Sequence, residues 1–160
     1  MKHLILGLGN DLLTDDGIGI YIAEQLQSEL NGVDIICSAD SGFNLLDHMF
    51  GYDVVILIDS IVTGKGPVGE VYEFSTTDFT NHIPFSIHST DISSILEYSK
   101  KCGFHVPEKV YFLAVEIEDN QTFQEGFSTA IETRKKDIVK NIKSRLHTIL
   151  DNHVWMVSPG

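Results

Sequence analysis

Residues Asp53 to Asp59 read DVVILID, with five consecutive apolar side chains between two aspartates. A strand with one face in water alternates apolar and polar residues, and this one does not. Burial on both faces is the condition of a central strand in a parallel sheet covered by helices on either side. Few architectures accommodate such a segment, and the rest of the chain has to supply neighbouring strands and two layers of helix.

It does so in alternation. His3 to Leu8 is a second strand apolar on both faces, followed by the turn residues Gly9 and Asn10. From Gly17 onward, Ile18, Ile22, Leu26 and Leu30 recur every fourth residue with Ala23 beside them, which predicts a helix stopped near Asn31-Gly32. Val33 to Cys37 repeats the strand signal, and Phe43 to Met49 predicts a short helix. After Asp59 comes a loop with Gly64, Gly66, Pro67 and Gly69, then Glu70 to Phe74, whose alternation suits a sheet edge. Residues 75 to 89 read as irregular. Ser89 or Thr90 is placed to cap a helix running to about Lys101, and Val110 to Ile117 is the fifth strand. Thr129-Ala130-Ile131-Glu132 has capping-box form and opens the longest helix, with Ile131, Ile138, Ile142, Leu146 and Ile149 on its buried face and a tail containing Trp155 and Pro159. No repeat, linker or low-complexity stretch interrupts the pattern. The expectation is one domain over 1–160 with an α/β fold: three-layer, a mostly parallel five-stranded sheet with helices on both faces.

Charge narrows the function classes. The 160 residues carry 11 basic and 23 acidic side chains, a formal charge of −12, which repels phosphate backbones and anionic lipid headgroups. No nucleic acid and no membrane partner is expected. No apolar run approaches the ~20 residues needed to span a bilayer, and the N-terminus enters a strand without a cleavable signal pattern, so a cytoplasmic protein is expected. Cys37 and Cys102 form no metal-ligand pair and read as reduced structural thiols. No exposed apolar stripe stands out beyond those the sheet should cover, which predicts a monomer.

In an open α/β sheet, functional groups collect where the carboxyl ends of the strands meet their loops. There the sequence places Asp15 and Asp16 after the first strand, Asp59 at the end of the third, His88 before the third helix, and Glu116 and Glu118 at the end of the fifth. Two carboxylates and an imidazole have a physical logic around a divalent cation. Oxygen and nitrogen donors suit borderline first-row metals such as nickel or zinc, and without a cation Asp16 and Asp59 would repel each other in a low-dielectric cleft. The bland alternative makes each acid a solvated loop residue or helix cap and His88 a hydrogen-bonded core residue. For Asp15 alone that alternative is the better reading, because an acid just before a helix is stabilised by the helix dipole.

The stretch GLGNDLLTDDGIG lacks the third glycine of a dinucleotide fingerprint, and its aspartates oppose a pyrophosphate. No Gly-x-Ser-x-Gly elbow or His-Glu-x-x-His occurs. His48, His82, His105, His147 and His153 read as surface or partly buried residues. A phospho-accepting receiver module also ends a central strand on aspartate, but it needs its acidic pair close to the end of the first strand and a lysine after the fifth. Here Asn10 to Thr14 intervene, and Glu118 and Asp119 follow the fifth strand.

The opening GLGNDLLTDDGIG, the strand DVVILIDSI, the segment FSIHSTDISSIL and the late EGFS, in that order and spacing, resemble the nickel-iron hydrogenase maturation endopeptidases. The similarity runs from the first strand to the start of the last helix. It implies an endopeptidase that removes the C-terminal extension of a nickel-loaded hydrogenase large-subunit precursor. It also implies metal-binding positions at Asp16, Asp59 and His88, reading nickel held by the precursor rather than a resident ion. An unligated carboxylate nearby would serve as general base, Asp15 first and Glu116 next. The alternative within the fold is an inactive or non-hydrogenase metal-binding relative, which would be expected to lose one of the three ligand positions. Two loops depart from the family pattern: Ser38-Ala39-Asp40-Ser41-Gly42 replaces a Gly-Gly or Gly-Thr pair, and the proline common after the fifth strand is absent around Ile117. Both border the expected crevice and bear on which precursor is recognised.

Overall fold

The computed structural model describes residues 1–75, 92–118 and 120–154. Strands β1 (His3–Leu8), β2 (Asp34–Ser38), β3 (Val54–Ile61), β4 (Val71–Ser75) and β5 (Lys109–Glu116) form one sheet in the order β2-β1-β3-β5-β4. All neighbours run parallel except β4, which lies antiparallel to β5 at the edge. The doubly apolar segment is the centre of this sheet, with all eight residues of β3 buried.

Helices α1 (Ile18–Leu26), α2 (Asn44–Met49), α3 (Ile92–Lys101) and α4 (Thr129–Val154) cover it, and a 3-10 turn, Thr14–Gly17, precedes α1. Strand alternation divides the core in two. Ile5, Ile56 and Ile58 meet Ile18, Ile22 and Leu26 of α1 and Ile138, Ile142 and Leu146 of α4 on one face. Leu4, Leu6, Val55 and Leu57 meet Leu45, Leu46 and Met49 of α2 and Ile92, Ile95 and Leu96 of α3 on the other. The three-layer α/β architecture is therefore as the sequence predicts. Each fully buried aliphatic side chain contributes about 1.5–3 kcal/mol.

Chain direction decides which helix lies on which face. From β1 the chain steps outward through α1 to β2, then returns through α2 past β1 to β3. Parallel crossovers are right-handed, so two crossovers travelling in opposite directions place α1 and α2 on opposite faces. The sheet has its switch of direction between β1 and β3.

Boundaries shift where local hydrogen bonds compete with the apolar period. The helix expected to reach Leu30 ends at Leu26, and the next residues wind loosely, with the N–H groups of Glu29 and Leu30 both on the Leu26 carbonyl. The last helix is capped by Ser128, one residue before the expected Thr129: the Ser128 hydroxyl accepts the Ile131 N–H at 3.4 Å, and its carbonyl accepts the Glu132 N–H at 2.8 Å. The Glu132 carboxylate pairs with Lys135. The predicted cap at Ser89 or Thr90, His82, and the tail residues Trp155 and Pro159 lie outside the described residues.

One contact sets the height of α1 above the sheet. A Cβ on Gly19 would lie 2.2 Å from the Leu8 carbonyl oxygen and 2.4 Å from that of Ile58. Both are backbone atoms, one at the end of β1 and one at the last β3 residue paired with β1, and have no rotamer to yield. Gly19→Ala is expected to destabilise the fold by about 1–3 kcal/mol, seen as a lowered urea midpoint with an unchanged m value.

Candidate active site

Pairing between β1 and β3 ends at Gly7 and Ile58, whereas β3 continues beside β5 as far as Ile61 and Glu116. Asp59, Ser60 and Ile61 therefore have a neighbour on one side and a notch on the other. The notch forms because β1 leaves the sheet at Gly9, whose φ of +151° and backbone contact admit no side chain: a Cβ there would stand 2.1 Å from the Asp16 carbonyl oxygen. The loop returns over the opening as the 3-10 turn that carries Asp15 and Asp16. This crevice coincides with the switch in strand order, where open α/β sheets bind their ligands.

Asp16 and Asp59 both accept hydrogen bonds from Ser60. The Ser60 hydroxyl donates to Asp16 Oδ1 at 2.7 Å, and the Ser60 N–H donates to Asp59 Oδ1 at 2.7 Å. The Asn10 N–H donates to Asp16 Oδ2 at 3.0 Å. Both aspartates are buried, at 6% and 5% exposure, and Ser60 at 1%. Taking two carboxylates out of water carries an energetic cost. The donors at Ser60 and Asn10 offset part of it, and a bound cation would remove the rest.

His88, the expected third ligand, lies outside the described residues. Among the described residues no group of three or more His, Cys, Asp or Glu side chains is arranged to hold a metal ion. Asp16 and Asp59 are thus an incomplete donor set of oxygens, of a kind that a nitrogen donor would extend to suit a first-row divalent metal.

The two acids expected as general bases are differently placed. Asp15 is fully buried, and its carboxylate takes the Ser128 N–H on Oδ1 and the Ser128 hydroxyl on Oδ2, each at 2.7 Å. It anchors the start of α4. Glu116 is 2% exposed and holds the loop after β3, accepting the N–H groups of Thr63 and Gly64 on Oε1 at 2.8 and 2.9 Å and the Thr63 hydroxyl on Oε2 at 2.5 Å. Burial pushes the Glu116 carboxyl up, but the hydrogen bonds from Thr63, Gly64 and the Tyr72 hydroxyl outweigh it and hold the pKa below the usual glutamate value. Glu118 stays exposed. His48, read as a surface or partly buried residue, is half-buried, and its Nε2 lies 2.8 Å from Asp40 Oδ2, which also accepts the Ser38 hydroxyl at 2.8 Å.

Sequence reasoning missed Ser60, Ser128, Thr63 and Asn10. A signal existed for Ser60, a small donor directly after a strand-terminal aspartate. Ser128 closes the EGFS segment, but nothing local marked its partner 113 residues away, and no signal existed for Thr63, whose partner is 53 residues away.

A family model described as hydrogenase maturation protease matches residues 20–145. The chain belongs to that family. The hydrogenase 2 maturation protease of Escherichia coli (strain K12) is 34% identical over 154 residues, 91% of this chain and 91% of its own. The hydrogenase expression/formation protein HoxM of Azotobacter vinelandii is 26% identical over 75% of this chain and 60% of its own. Among solved structures, the hydrogenase maturating endopeptidase HybD from E. coli superposes with a TM-score of 0.72 at 28% identity, covering 92% of this chain and 93% of that one. As a hydrogenase maturation protease the protein is a peptidase, and the notch between β1 and β3 is its candidate active site. No helix among the described residues is long and apolar enough to cross a membrane.

Two predictions concern the struts. Removing Asp15 or Ser128 leaves buried polar partners unsatisfied, so Asp15→Ala and Ser128→Ala should each cost about 1–3 kcal/mol. In a double-mutant cycle the pair should cost clearly less than the sum, because both remove one contact. For Glu116, the depressed native pKa makes its contribution complete above the unfolded value of about 4.5 and progressively lost as pH falls through the lower native value. Between about pH 5 and pH 3, thermal melting of the wild type should therefore drop more steeply than that of Glu116→Gln.

Proposed function

We propose that this protease removes the C-terminal extension from a nickel-loaded hydrogenase large-subunit precursor, with Asp16, Asp59 and His88 contributing ligands to the nickel that the precursor carries. The observation that supports this reading most directly is the convergence of Asp16 and Asp59 on Ser60 at the switch point of the sheet. The nickel belongs to the substrate, and in the cleft it would polarise the carbonyl of the bond to be cut. The protease would act in the cytoplasm, as a monomer and as a single domain.

The chain's own residues supply position. Ser60 aims both carboxylates from one backbone site, Asn10 fixes the second oxygen of Asp16, and the 3-10 turn above shields them from bulk water. A preset pair of anions in a poorly solvated notch attracts a cation more strongly than the same pair in water, and it needs no rearrangement when the cation arrives. Asp15 and Glu116 are read as positioning residues, because hydrogen bonds to Ser128, Thr63 and Gly64 already occupy their oxygens.

Mixing the protein with nickel-loaded and nickel-free precursor and following the large subunit by mass spectrometry should show shortening of the loaded form alone. Asp16→Ala, Asp59→Ala and His88→Ala should each abolish that shortening with circular dichroism spectra unchanged, and retained cleavage in all three would remove them from the site. Asp15→Asn should lower the melting temperature yet keep turnover within a few-fold of wild type. A loss of about a hundredfold or more would return Asp15 to the role of base.

A further inference from the structure

Seven large apolar residues are exposed among the described residues, and four of them stand on the loops at the carboxyl ends of adjacent strands. Phe43 follows β2 at 66% exposure, Leu12 follows β1 at 51%, Val62 follows β3 at 50%, and Phe123 follows β5 at 81%. In strand order they span β2, β1, β3 and β5, and the Asp16–Asp59 notch lies between the second and third.

Each of the four loops is braced. The Leu12 and Phe123 loops are sewn together: Gln124 N–H donates to the Leu12 carbonyl, Thr14 N–H to the Gln124 carbonyl, and the Thr14 hydroxyl to the Thr122 carbonyl at 2.7 Å. Thr14 adopts a φ of +45°, a strained value for a non-glycine residue that these bonds sustain. Val62 adjoins Thr63, which Glu116 holds. The Phe43 loop starts from the cluster of Ser38, Asp40 and His48. Apolar side chains held out in water on pre-ordered loops lose little entropy when covered, which is the property of a binding surface. The charge around them is mainly negative. Asp11, Glu118 and Glu125 are exposed in these loops, and Lys65 is the one basic residue in their described parts.

We propose that Leu12, Phe43, Val62 and Phe123 form a docking rim for the folded, metal-bearing body of the precursor, which presents an apolar patch bordered by lysine or arginine. The inference rests on the proposed function, since a substrate whose bond is cut in the notch has to cover the rim. Affinity then resides in the rim, while the notch contributes the chemistry.

The test uses the nickel-loaded precursor and the double variant Leu12→Ser/Phe123→Ser, with melting checked against wild type. KM should rise at least tenfold and turnover at saturation should fall less than threefold. In a fluorescence titration with labelled precursor, the Kd should weaken by the same factor, and raising salt from about 50 to 300 mM should weaken wild-type binding further. Phe43→Ser serves as a second variant if the double one is unstable. An unchanged KM and Kd would overturn the rim. So would sedimentation showing wild-type self-association that the variant abolishes, because the occupant would then be a second copy. Binding of the precursor without any cleavage by wild type would instead sink the proposed function and leave the rim standing.

Discussion

The close approach of α1 to the end of β1 and to Ile58 of β3 is the constraint on which the site depends. With no side chain at Gly19, the first turn of that helix rests on the carbonyls of Leu8 and Ile58, and with none at Gly9 the intervening loop folds flat enough to bring Asp16 over β3. A methyl group at either position would collide with backbone. The contact of Asp16 with Ser60 at 2.7 Å would then be lost through displacement of the turn, with no functional side chain changed.

Around that contact the molecule uses buried acids as fasteners. Asp15 ties the first loop to the start of α4, Glu116 ties the end of β5 to the loop after β3, and Asp16 ties the first loop to β3 itself. A carboxylate that accepts two or three protein hydrogen bonds tolerates burial, and once it has them it leaves its partners no cheaper arrangement. The loops at one end of the sheet are thereby joined pairwise through charged groups, and the same bracing that orders the notch holds large apolar side chains out beside it. Rigidity at the floor and adhesion at the rim have a common origin.

Much of this was legible in the sequence. DVVILID could only be a central parallel strand, the i, i+4 spacing of Ile18, Ile22 and Leu26 identified α1 and its buried face, and the motif GLGNDLLTDDGIG marked the loop on which two acids sit. Boundaries were less legible, because ends are decided by single polar contacts such as the Ser128 cap, which the Thr129 capping-box pattern misplaced by one residue. The roles of neighbouring acids were least legible. Asp15 and Asp16 are adjacent and chemically identical, yet one faces the start of α4 and the other faces β3.

By itself, then, the sequence determined the layers, the strand that sits at the centre and the end of the sheet where acids gather, because each follows from apolar periodicity within a short window. Tertiary structure alone decided which acid meets which partner and which apolar residues stay outside. Those outcomes depend on contacts between segments 44 to 113 residues apart, such as Asp16 with Ser60 and Asp15 with Ser128, whose geometry exists only after the sheet has set the distance between its loops.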